Sequence, residues 1–299
     1  QKTAYEIGVR LVGSEMCIRD SNHASVIATG SASFDLASQV AEPLTGRSLT
    51  YTLYPVSYGE LRQSLSAFEA RSQLDRWLIW GGYPAIATTE QAALRERLLG
   101  ELVGAYLYRD ILQLDGVRRA EKIVDLLRLL AFQIGQEVSL TELASSLAIN
   151  RATVERYLDL LEKVFVIFKV RGFSRNLRKE VSKIPRYYFF DNGVRNTLIQ
   201  NFNPLPLRND IGQLWENFLM VERRKANEVA DRSANRYFWR TYDQQEIDYL
   251  EEADGVIQGY EFKWNPGAKA KTPTDFLEGY PGSKIVRIDR SNYWQFLLN

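Results

Sequence analysis

The spacing of apolar residues changes part-way along this chain, and that change limits what it can fold into. From about Arg71 to Val164 they recur at helical spacing; from Val166 to Ile288 short alternating runs appear, interrupted by helical stretches at Gly212–Val229 and near 274–280. A 3.6-residue period buries one stripe of a helix, whereas a period of two half-buries a strand. A chain carrying both in succession is expected to be an α/β multi-domain protein. With 45% hydrophobic and 25% charged residues it has the composition of a globular chain. The formal charge of +1 confines any nucleic-acid surface to a local patch.

Cys17 is the single cysteine and His23 the single histidine. That excludes a disulfide framework, a thiolate metal site and a histidine-based triad or zinc cluster built from this chain alone. No apolar run approaches the ~20 residues a spanning helix needs, so a soluble, cytoplasmic protein without a membrane partner is expected. Residues 1–21 stand apart. Glu15-Met-Cys-Ile-Arg-Asp20 is what one frame of a transposon-based sequencing adapter encodes, and Gln1–Ile7 matches a translated flow-cell primer. Residues 1–21 are therefore expected to be an adapter artefact, with the protein proper starting near Asn22, in mid-gene.

Ser25–Ser31 reads as a short strand ending in Thr29-Gly30-Ser31, and Glu42–Arg47 leads into an alternating strand, Ser48–Leu53. Tyr54-Pro-Val-Ser-Tyr-Gly-Glu60 follows. In this order the segments resemble the end of a AAA-type ATPase core, which makes 22–70 its C-terminal remnant. The resemblance implies sensor roles for Thr29 and Ser31 near a γ-phosphate and a phosphate contact for Arg47. It also implies homo-oligomers through the ATPase core. No G-x-x-x-x-G-K-[ST] loop occurs in this sequence. ATP binding is thus expected of the intact parent, and this fragment alone is not expected to hydrolyse ATP.

Residues 71–117 read as a helical lid broken at Gly81-Gly82-Tyr83-Pro84, and 118–200 as a winged-helix domain. Ala120–Gln133 is an amphipathic helix, and Ser139-Leu-Thr-Glu142 a capping box opening a helix through Leu147. Asn150 caps the next helix, Arg151–Val164, at helix-turn-helix spacing. Val166–Phe173 and Arg186–Phe190 would form the wing. In such modules the second helix enters the major groove. Arg151, Thr153 and Arg156 would then face DNA, with Arg171, Arg175, Arg178 and Lys179 on phosphates. Winged helices also serve as protein-docking modules, and both readings stand at this point.

Residues 201–299 read α-β-β-β-α-β: a helix Gly212–Val229, strands 237–241, 246–250 and 256–263, a helix near 274–280 and a strand Lys284–Ile288. Asp248 lies on one strand, and Glu261 precedes Lys263 by two on the next, so the last two share a face. Two carboxylates suit Mg²⁺, with Asp248 and Glu261 as ligands and Glu216 adding one from the helix. Lys263 would orient the nucleophile or stabilise developing charge. Together the four resemble the catalytic set of the PD-(D/E)XK nuclease superfamily. A salt-bridged edge strand or an inactive nuclease-like fold would give the same residues.

The whole order, with Pro185-Arg-Tyr-Tyr-Phe-Phe-Asp-Asn-Gly193 and Tyr157–Glu162, is similar to prokaryotic AAA-family ATPases that end in a domain of unknown function. Two functions follow as expectations. One is a DNA-interacting ATPase whose C-terminal domain is a metal-dependent nuclease. The other is a regulatory or signalling ATPase whose C-terminal half is a DNA- or protein-binding module.

Overall fold

In a computed structural model of the chain, residues 49, 51–105, 120–175, 184–241, 245–268 and 273–298 are described. The chain divides into two compact units, 1–53 and 54–299. Of the first, Leu49 and Tyr51–Leu53 are described. Leu49, Tyr51 and Leu53 stand exposed, and none of these residues lies in a strand. Of the strand expected at Ser48–Leu53, the described residues make no strand pairing with any other described residue. Thr29, Ser31 and Arg47 lie outside the described residues.

The second unit opens with helices α1 (Tyr58–Ser64), α2 (Ala67–Ser72), α3 (Leu74–Trp80), α4 (Pro84–Thr88) and α5 (Ala92–Ala105). Ser57 and Ser66 each take the N3 amide while Glu60 and Glu69 reach back to the cap amide, two complete capping boxes. Both follow the S-x-x-E pattern in which the cap hydroxyl and the N3 carboxylate satisfy each other's amides. Helices α6 (Ala120–Phe132), α7 (Leu140–Leu147) and α8 (Arg151–Lys163) follow. Asn150 caps α8, its Oδ1 accepting the Thr153 amide at 2.7 Å. The Ser139 cap forms on Glu142 N at 3.4 Å, but the reciprocal Glu142 bond expected of a capping box is not among its contacts. The long Ser139 bond makes this a weak cap.

Strands β1 (Ile167–Gly172) and β2 (Arg186–Phe189) pair antiparallel, as the wing reading requires. The ribbon is not free, however. β1 also pairs in parallel with β3 (Asn235–Arg240), giving one six-stranded sheet in the order β2-β1-β3-β4-β5-β6. Here β4 is Glu246–Ala253, β5 is Val256–Phe262 and β6 is Lys284–Ile288. The sheet runs through the division expected at 200/201. Between β2 and β3 stand α9 (Asn192–Leu198) and the long α10 (Ile211–Val229); α11 (Thr274–Gly279) and α12 (Tyr293–Leu298) complete the unit. No helix among the described residues is long and apolar enough to cross a membrane.

Polar side chains join these layers. Asp191 N-caps α9 through Val194 N at 3.1 Å and accepts Gly82 N at 2.7 Å, so it is a structural cap that also holds the Gly81-Gly82 break. A Cβ on Gly193 would sit 2.2 Å from the Trp80 carbonyl oxygen, a contact only glycine permits. Asn217 of α10 accepts Phe189 N at 2.8 Å and donates to Phe189 O at 3.0 Å and to Asn192 Oδ1 at 2.7 Å. It completes the open edge of β2 as a missing strand would. Along the same helix Glu222 accepts Tyr58 N at 2.6 Å and Lys225 Nζ at 2.7 Å. Tyr54 donates to Glu228 at 2.5 Å. The segment 54–58 is thereby pinned to α10.

Candidate active site

The four residues singled out in the C-terminal region come together where α10 meets the ends of β4 and β5. Glu216 sits in the first half of α10, half-buried beside Tyr188 of β2. Its Oε1 accepts the Tyr188 hydroxyl at 2.7 Å, and Arg186 Nη1 lies 3.9 Å away. The turn at Gly135, with a φ of +75°, passes so close that a Cβ there would lie 3.0 Å from Glu216 Oε1. Burial pushes the Glu216 carboxyl up to about 7, and the Arg186 charge and Tyr188 hydroxyl check the rise.

Asp248 owes its place to an irregularity. Tyr237 pairs with Leu250 and Trp239 with Ile247, so two residues of β4, Asp248 and Tyr249, oppose Phe238 alone. Such a β-bulge re-aims a side chain and recurs beside active sites. Asp248 Oδ2 accepts the Phe262 amide at 2.7 Å, tying β4 to the end of β5. The β4–β5 pairing runs as far as Tyr249 against Tyr260, and Asp248 and Glu261 are the next residue on each strand. A nearby like charge disfavours the ionised form of a carboxyl. Accordingly, burial and then the charges of Glu216 and Glu261 push the Asp248 carboxyl well above the usual range. Burial raises Glu261 as well, against the pull of Lys263.

Lys263 forms an ion pair with Glu261, so both lie on one side of β5. Burial works against the Lys263 charge, but Glu261, Asp248 and Glu216 outweigh it and hold the ammonium above its ordinary value. One lysine thus stands among three carboxylates. The donors are hard oxygens, the kind Mg²⁺ prefers, and Asp248 and Glu261 repel each other in a way a cation would relieve. Among the described residues no three His, Cys, Asp or Glu side chains are disposed to hold a metal ion. The protein would therefore offer Asp248 and Glu261, leaving other positions to water, which suits Mg²⁺.

Sequence reasoning missed the second layer. Arg186 pairs with Glu246 and stacks 4.2 Å over Phe238, while Arg240 bonds Glu137 at 3.1 Å. Arg186 and Tyr188 were read as wing residues, and only the tertiary fold carries them to Glu216. The residues expected on DNA lie elsewhere. Arg151 is exposed and pairs with Glu155 at 3.1 Å; Thr153 is the residue whose amide Asn150 caps. Arg156 lies over Tyr157, and Arg175 over Tyr280 at 5.3 Å. Arg171 lines an open cavity of about 370 Å³ with Lys169, Asn235, Arg236 and Tyr237. Arg178 and Lys179 lie outside the described residues.

Three family models match separate stretches: "AAA domain" over residues 15–62, "Domain of unknown function (DUF8612)" over 71–205 and "Domain of unknown function (DUF4143)" over 211–293. An uncharacterized protein of Mycobacterium tuberculosis is 31% identical over 78% of this chain and 51% of its own length. One from Haemophilus influenzae is 25% identical over 61% of this chain and 48% of its own. One from Methanocaldococcus jannaschii is 22% identical over 76% and 52% respectively. The chain spans about half the length of the curated relatives it matches. No solved structure matches. With the element order, these matches make the chain similar to AAA-type ATPase-like proteins that carry a C-terminal domain of unknown function.

Proposed function

We propose that this chain belongs to a DNA-interacting, ATPase-like protein whose C-terminal part hydrolyses phosphodiester bonds with a divalent metal. The observation that carries the reading is the meeting of Asp248, Glu261, Lys263 and Glu216 from two strands and one helix, with Asp248 in a bulge. Mg²⁺ held by Asp248 and Glu261 would acidify a water and offset charge on the phosphate under attack. Lys263, held protonated, would face a scissile phosphate as a fixed positive charge. Glu216, held by Tyr188, would keep Asp248 and Lys263 aligned from α10 without joining the two carboxylates on the metal. ATP belongs to the intact parent in this reading, and Arg151, Thr153, Arg156, Arg171 and Arg175 are the candidate DNA contacts.

The test is Mg²⁺- and Mn²⁺-dependent cleavage of linear and single-stranded DNA by the chain, beside Asp248→Ala and Glu261→Ala. Cutting that both substitutions abolish supports the reading; a folded chain that does not cut refutes it. One observation favours a second reading, a non-catalytic DNA- or protein-binding module. Lys263 and Glu261 already satisfy each other, and Asp248 already holds a backbone amide. Under that reading the cluster is a structural joint, and the two alanine variants would lose stability without any change in cleavage.

A further inference from the structure

The parallel pair β5–β6 ends with Phe262 against Ile288, and Trp264 and Arg290 each follow two residues later. The Lys263 amide donates to the Ile288 carbonyl at 2.9 Å, which keeps the two strand ends together. Arg290 lies over the Trp264 ring at 4.5 Å, and the Trp264 ring meets Trp215 edge-on at 5.5 Å. Trp215 is fully buried and directly precedes Glu216, so the platform under Arg290 is anchored to the helix that carries Glu216. Trp264 is half-buried, whereas Arg290 is exposed and has no carboxylate partner among the described residues. An arginine stacked on a fixed ring has given up much of its rotamer freedom while its N–H fork remains open to a ligand. The ligand that fork fits, stacked on the ring one residue beyond a lysine proposed to face a phosphate, is a second phosphate of the same strand.

We infer that Arg290, held by Trp264, is a phosphate-contacting residue that positions a nucleic-acid strand across the Asp248–Glu261–Lys263 cluster. This rests on the reading of that cluster as a phosphodiester site, but its test does not require cleavage. The probe is a fluorescently labelled single-stranded 20-mer DNA, with binding to the whole chain followed by anisotropy in EDTA over a range of salt. Arg290→Glu weakens binding about tenfold and lowers the slope of log affinity against log salt by about 0.7, the share of one phosphate contact on a single strand. Arg290→Lys retains the charge but loses the stacked fork, and recovers part of the affinity. Trp264→Leu weakens binding in the same direction with the guanidinium still present. Arg97→Glu, at an exposed position of α5, leaves binding unchanged. Equal affinity and equal salt slope for Arg290→Glu and the parent overturn the inference, as does absence of binding by the parent. Cleavage is scored separately with Mg²⁺: Arg290-dependent binding without cutting keeps the inference and removes the nuclease reading. Cutting with Arg290-independent binding does the reverse.

Discussion

Asn217→Ala should be among the most damaging single substitutions in the second unit, and its cost can be worked from three bonds. The Asn217 amide is 1% exposed and satisfies the N–H and the carbonyl of Phe189 on the open edge of β2, together with Asn192 Oδ1. Alanine removes all three partners beside a small cavity lined by Phe190, Asp191 and Phe218, with room for about one water to relieve part of the loss. An unsatisfied buried group costs about 1–3 kcal/mol, so two backbone orphans and one side-chain orphan come to roughly 3–5 kcal/mol after partial relaxation. With a urea m-value near 3 kcal/mol/M, the midpoint falls by about 1 M or more. The assay is urea unfolding followed by tryptophan fluorescence, because Trp215 lies two residues away and its signal reports the same helix. Asn217→Asp keeps the shape but sets a carboxylate against the Phe189 carbonyl and Asn192 Oδ1, and should be at least as costly at pH 7. A midpoint within about 0.2 M of the parent for Asn217→Ala would refute the argument that this side chain substitutes for a strand.

Three further outcomes are expected. Gly193→Ala places a Cβ 2.2 Å from the Trp80 oxygen and should lower the melting temperature sharply; Gly100→Ala, in α5 with nothing within 4 Å, should raise stability by about 0.5–1 kcal/mol. Thermal melts of the pair settle both, and a tolerated Gly193→Ala would show that α3 and α9 can separate at little cost. Burial alone would raise the Glu251 carboxyl, but the Arg223 bonds at 2.9 and 2.8 Å, with Asn227 and Tyr249, hold it below its usual value. A carboxyl depressed in the folded state adds stability above its unfolded pKa near 4.3, and that stability is lost as pH falls through the lower folded value. Glu251→Gln should therefore flatten the acid limb of a pH–stability curve below pH 5, and an unchanged limb would contradict it. Finally, Lys263→Met should lower any metal-dependent cleavage at least 100-fold while leaving Mn²⁺ binding to the chain measurable by calorimetry; cleavage at the parent rate would remove Lys263 from the chemistry.

Much of this arrangement was readable along the chain because it is local. Helical and strand periods gave α6 to α8 and β1 to β6 to within a few residues, since burial of a stripe or an alternating face is decided by near neighbours. Asn150 declared itself as a cap, because a cap bonds an amide three residues on. Asp248, Glu261 and Lys263 were visible as well, because residues two apart on a strand must share a side. What the chain could not declare was everything that depends on partners far away in sequence. The bulge that turns Asp248 exists only because β4 pairs with β3 out of step, and the joining of β1 to β3 made one sheet of two expected modules. Arg186 and Tyr188 reach Glu216 through a strand-to-helix contact across 28 to 30 positions. The sequence alone set which residues could ionise and which segments were helix or strand. Tertiary packing alone decided that three carboxylates and a lysine would share one poorly hydrated corner, where each charge changes the proton affinity of the others.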